Sequence, residues 1–415
     1  MSFSIALSGL NASNSELNTI SNNIANVSTT GFKESRTEFA SVYSGREAGG
    51  VEVVGVSQNF EKSGTVTGTG RALDIALSGS GFFVLEDSKG QTLYTRSGIF
   101  NMNADGVISA SNGAALQGYQ VDPNNNLLPG TVGTIEVSTA SLQAKETTDI
   151  EFVANLDARE NLPNNAIFDP ADSESYNHSY TTPVYDSLGN THTVSQYFVK
   201  SANTNEWNIY VYVDGAQADI DGSGTADASD FNTIVFGSNG TLDTTAAASS
   251  LNVDGKYNIP VTLAPTANDL AIELDLSAVT QYGSDFAVSK NSPNGYTSGD
   301  YSSVRMENDG RIFATYTNGQ SQLQGQVVLA NFSSPQNLIK TSDTAWLQSF
   351  SSGAPVLGTA GSGVFGDLTS GALEGSNVDL TSELVALMTA QRNYQANTKS
   401  ISTSDQLTQA LFNVV

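Results

Sequence analysis

Two amphipathic runs at opposite ends of a β-rich chain constrain the fold more than any other feature. Residues 1–27 place Phe3, Leu7, Leu10, Leu17 and Ile24 on steps of three, four and seven, with Ile20 and Val27 beside them. Residues 379–415 repeat the spacing with Leu380, Leu384, Leu387, Tyr394 and Ile401. Such spacing predicts two helices of coiled-coil type, each with one apolar stripe. The stripes are thin, because Asn14, Ser21, Gln391 and Thr398 interrupt them. Both runs are rich in Asn, Ser and Thr, which are indifferent helix formers, so each helix needs tertiary support. They suit packing on each other and on neighbouring subunits. The expected start of the second helix is Ser376, three residues ahead of Asp379, and the expected stop of the first is Gly31.

Between the ends the pattern is β. Glycine, Ser, Thr, Asn and Asp are abundant, as a turn-rich middle requires. Residues 33–50 read as a mixed polar segment and 51–70 as extended. Apolar runs at 72–77 and 82–85 open a first β-module, with Asp105-Gly106 and Asn112-Gly113 as hairpin dipeptides. A second module starts near Lys145. There, 180–185 and 191–199 read as a hairpin, and Trp207, Ile209, Val211 and Val213 alternate as one buried strand face. The style of the first module returns with Asp309-Gly310 and Asn318-Gly319. The expected fold class is α+β, mostly β, in a nested multidomain architecture. Residues 1–70 with 359–415 form a terminal helical assembly domain with extended linkers. Residues 71–144 with 284–358 form a middle β-domain, and 145–283 form an outer β-domain inserted in it.

Charge and chemistry narrow the function. The 415 residues carry 42 acidic and 17 basic side chains, a net charge of −25. That surface repels nucleic acid and anionic lipid. With no cysteine, disulfides, zinc–thiolate sites and cysteine nucleophiles are excluded. No apolar run is long enough to span a membrane, so no insertion is expected, and the start does not resemble a secretory signal peptide. The two histidines, His178 and His192, sit by strands near Asp172, Glu174 and Asp186, which suits surface hydrogen bonding rather than acid–base catalysis. No cofactor is required by any motif. One loop has metal spacing: Asp219, Asp221, Ser223, Thr225, Asp227 and Asp230, with Gly224 at the sixth position. Spaced oxygens around a sharp glycine turn suit calcium. The last position is Asp rather than Glu and strands flank the loop, so a solvated acidic hairpin loop is the alternative.

The run from Ile20 to Lys33, ISNNIANVSTTGFK, resembles the N-terminal signature of the bacterial flagellar rod, hook and hook-associated family. The segments GALEGSNVDL at 371–380 and QRNYQAN at 391–397 resemble its C-terminal signature. Within that family the chain most resembles the hook branch, through TGRALDIA at 69–76, GFF at 81–83, VYDSLGN at 184–190 and LANF at 329–332. The resemblance implies a structural, non-enzymatic subunit of a tubular homopolymer joining motor to filament. It implies an inner tube of terminal helices around an export channel, whose assembly residues are Phe3, Leu7, Leu10, Leu17, Ile20, Ile24, Leu380, Leu384, Leu387, Tyr394 and Ile401. It also implies export by the flagellar type III apparatus, a place in the extracellular hook, and contacts with the distal rod protein, the hook cap and the hook–filament junction protein. A distal rod or junction protein of the same family is the alternative reading, as is a calcium-binding surface adhesin.

Overall fold

The computed structural model describes residues 2–44, 47–220, 230–261 and 270–412. Helices form where the apolar spacing requires them: α1 spans Ser2–Ala25 and α2 spans Leu380–Phe412. Almost everything between is strand. The chain divides into two compact units, one of residues 1–139, 302–315 and 321–415, the other of residues 140–301 and 316–320.

In the first unit, β1 (Ser35–Ser44) and β2 (Glu47–Gln58) form a long antiparallel hairpin beside α1. The sequence reading missed this hairpin. Its faces carry Phe39, Tyr43, Val53, Val54 and Val56 exposed, so neither shows a clean buried alternation. The extended linkers then find each other: Val66–Gly68 pairs with Ala372–Glu374, and Ile75–Ser78 with Asp367–Ser370. A larger sheet of antiparallel pairs includes Phe82–Glu86, Thr92–Thr95 and Ala115–Val121 with Ser321–Val327 and Ala345–Leu347. Phe60, Phe82, Tyr94, Phe332 and Trp346 pack there edge to face, at ring separations of 4.8–6.0 Å.

The second unit holds two sheets around one core. His178–Tyr185 and Thr191–Lys200 form the expected hairpin. Trp207, Ile209 and Val211 are fully buried, and Val213 packs against the same cluster. The indole N–H of Trp207 donates to Gln281 Oε1 at 3.1 Å, so this large side chain leaves no polar group stranded. Asp149–Asp157 runs parallel to both Leu270–Asp275 and Thr280–Tyr282, a pairing that no short-range signal announces.

Three local expectations are corrected. The first helix ends at Ala25, and Gly31 lies beyond it. Its φ of +71° serves a close crossing instead: a Cβ there would stand 2.5 Å from the Arg96 carbonyl carbon, while its N–H donates to the Glu374 carbonyl at 2.8 Å. The second helix is capped by Asp379, not Ser376, since the Asp379 carboxylate accepts the Thr381 and Ser382 amides. Those amides hold the Asp379 carboxyl below the usual range. Finally, the Asp-Gly and Asn-Gly dipeptides are not two-residue turn centres. Gly310 (φ +84°) donates to the Glu307 carbonyl at 3.0 Å, so glycine is the fourth residue of its turn.

Candidate assembly surface

Helices α1 and α2 pack together antiparallel: Asn23 meets Glu383, and Gly9 meets Asn397. The buried line on α1 is Ala6, Ser13 and Ile20, seven residues apart, with Ala12 and Asn23 beside it. On α2 it is Glu383 and Ala390, also seven apart. Small side chains let the axes approach; a Cβ on Gly9 would come within 2.9 Å of the Asn397 amide. The larger apolar residues lie one, three or four residues from that line on each helix, rotated from it by roughly 40–100°. Phe3, Leu7, Leu380, Leu384 and Tyr394 are exposed, and Leu10, Leu17, Ile24, Leu387 and Ile401 are half-buried. Of the residues expected to drive assembly, Ile20 alone is buried in the subunit. Asn14, Ser21, Gln391 and Thr398 are exposed as well.

The two signatures meet through side chains that sequence reading did not single out. Asn23 acts like a strand backbone: its Nδ2 donates to the Ser35 carbonyl at 2.8 Å and its Oδ1 accepts the Ser35 amide at 2.9 Å. The same Nδ2 donates to Glu383 Oε1 at 3.0 Å. Burial pushes the Glu383 carboxyl upward, and that amide opposes the shift. Asn377 accepts the Glu34 amide and donates to the carbonyls of Asn59 and Lys62. Beneath them Glu374 is wholly buried between Lys33 and Arg96, each about 1% exposed. Lys33 Nζ donates to Glu374 Oε1 at 2.8 Å, the Gly64 amide donates to the same oxygen at 3.0 Å, and Arg96 Nη1 stands 3.5 Å from Oε2. Burial, then Arg96, pushes the Lys33 ammonium down, while Glu374 pulls it back up.

The second unit carries the histidines. His178 stacks on Phe286 at 4.3 Å, which is packing. His192 Nδ1 lies 2.6 Å from Asp214 Oδ2, and its Nε2 lies 3.5 Å from Asp186. Asp186 also holds the turn at 186–190, so His192 joins two turns. The hydrogen bond that the imidazole donates to the Asp214 carboxylate raises the His192 pKa above its usual value, against burial. A raised pKa stabilises below about pH 6.5 and loses that contribution as pH rises through the folded value. Burial lowers the His178 pKa, with the opposite effect on stability. The melting temperature of His192→Asn, compared with the parent at pH 6 and pH 8, isolates the first term: the parent's advantage shrinks at pH 8. Of the oxygen-rich loop, Asp219 and Asp230 are described, whereas Asp221, Ser223, Thr225 and Asp227 lie outside the described residues. Among the described residues, no group of three or more His, Asp or Glu side chains is placed to hold a metal.

Comparison with known proteins places these features. Residues 3–33 match the flagella basal body rod protein model, and 369–414 the C-terminal model of the flagellar basal body rod FlgEFG proteins. Residues 76–151 match the D1 domain of flagellar hook protein FlgE/F/G, and 155–296 the D2 domain of flagellar basal body protein FlaE. Flagellar hook protein FlgE of Salmonella typhimurium is 39% identical over 418 residues, covering 100% of both chains. The chain belongs to the flagellar hook protein family. Other hook relatives are FlgE of Escherichia coli K12, 38% identical with 100% of both chains covered, and FlgE of Borreliella burgdorferi, 30% identical with 98% and 97% covered. The crystal structure of Helicobacter pylori flagellar hook protein FlgE2 shares the fold, with a TM-score of 0.51 over 74% of this chain and 100% of that one, at 14% identity. As a hook-family chain it is a structural subunit of the flagellar hook. The Asn23, Lys33, Glu374 and Asn377 contacts lie within or beside the two rod-type segments, so those segments also act inside one subunit to lock its ends together.

Proposed function

We propose that this chain polymerises with itself into the hook tube through the outward stripes of α1 and α2. The observation that carries this is their rotation: a seam of mostly small residues is consumed between the two helices, and all the large apolar stripe residues except Ile20 keep exposed surface outside it. Repeated heterologous contacts of that kind extend a screw-symmetric polymer rather than closing a ring. The subunit then works mechanically rather than as an enzyme, as a flexible joint that passes torque to the filament and encloses an export path. We place its export with the flagellar type III apparatus. Its end contacts fall to the distal rod protein, the hook cap and the hook–filament junction protein. The three-domain division fits this work, with terminal helices for assembly and an acidic outer domain for sliding, hydrated contacts. Purified chain incubated at rising concentration should form tubes visible by electron microscopy above a sharp threshold. A chain that stays monomeric at every concentration contradicts the proposal. The spacing at 219–230 separately supports a calcium site, for which calorimetry should show heat on calcium addition that Asp221→Ala lacks.

A further inference from the structure

Phe350 is the most exposed large apolar side chain among the described residues, with its whole side chain in solvent. Single exposed apolar residues are ordinary on protein surfaces. This one differs in what holds it. The turn beneath it is fixed by reciprocal bonds between two serines: the Ser349 amide donates to Ser352 Oγ and the Ser352 amide donates to Ser349 Oγ, both at 3.0 Å. Ser352 Oγ donates back to the Ser349 carbonyl at 2.8 Å, and Ser352 is wholly buried. Ser349 Oγ donates to the Asn337 carbonyl at 2.6 Å, and the Ser334 amide donates to the Ser352 carbonyl at 3.3 Å. The turn is thus pinned to the short 3-10 helix Pro335–Asn337. Gln348 Nε2 closes its far side on the Gly353 carbonyl at 3.2 Å. The polar groups of the turn are spent on rigidity, and its one large side chain touches nothing in its own subunit.

We infer that Phe350 is a preformed docking knob for a second copy of this chain. A rigid aromatic anchor loses little conformational freedom when it is buried, which is how a few side chains come to dominate an interface. The occupant is a second copy because the polymer proposed above surrounds every subunit with others, and this inference rests on that reading. Phe350 lies in the β-rich part of the first unit rather than on the helices, so it supplies a contact that the helical stripes do not.

The full chain carrying p-benzoylphenylalanine in place of Phe350 tests the inference directly. Irradiation should give subunit–subunit adducts in the polymer and none in dispersed chains. A polymer that yields no such adduct, or adducts within one subunit only, overturns it. Phe350→Ala should raise the threshold concentration for polymerisation about tenfold, the equivalent of losing part of one buried phenyl group, and leave the monomer's melting temperature unchanged. An unchanged threshold contradicts the inference alone. A parent chain that never polymerises contradicts the underlying reading as well.

Discussion

Leu384→Asp should abolish polymerisation while both units of the subunit stay folded. Leu384 is 44% exposed in the subunit, so a carboxylate there is solvated and costs the monomer little. On the proposed assembly the polymer buries the same position against a neighbour, where an unpaired carboxylate costs several kcal/mol per contact. Each 1.4 kcal/mol raises the threshold concentration about tenfold, so several place it beyond reach. Sedimentation and electron microscopy read the polymer, and far-ultraviolet circular dichroism with thermal melting reads the monomer. Normal tubes from this variant, or a monomer that no longer folds, count against the stripe as the intersubunit surface.

Glu374→Ala has the opposite profile and breaks the subunit first. It leaves Lys33 and Arg96, both nearly fully buried, with no anion between them. It also strands the Gly64 amide. Removing one partner from a buried ion pair costs about 3–5 kcal/mol, a large part of the 5–15 kcal/mol that typically holds a domain together. The melting transition of the first unit should fall by about 10 °C or more. The core of the second unit contains none of these residues, so its transition should stay in place. Calorimetry that resolves the two transitions decides the matter. An unshifted first transition shows that the buried triad contributes little.

How much of this was legible in the sequence follows from the size of the side chains that carry each signal. The helices and the mostly-β class were legible because large apolar residues recur at helical spacing at the ends and alternate in the middle, as Trp207, Ile209 and Val211 do. The seam between the helices was not, because Ala6, Gly9, Ser13 and Ala390 barely register in any hydrophobic pattern. The stripe stood out because its residues are large, and in the subunit those residues mostly face away from the seam. The β1–β2 hairpin was hidden because its exposed apolar residues blur the two-residue alternation. The Lys33–Glu374–Arg96 contact was out of reach: Lys33 and Glu374 are 341 residues apart, and three charged residues normally mean surface. Both the stripe and the Phe350 turn leave large apolar surface exposed in the subunit, which the proposed polymerisation would cover.

The absence of cysteine makes the most direct test of that claim clean, since a single introduced thiol can be followed by maleimide labelling. Leu384→Cys, compared with Leu188→Cys on an exposed turn of the second unit, is labelled as dispersed subunits and again after polymerisation. The account predicts that both thiols react readily in dispersed subunits, and that the thiol at 384 becomes at least about tenfold slower in the polymer, the effect of roughly 1.4 kcal/mol of protection. Equal labelling at 384 in the two states, with polymer present, would contradict it.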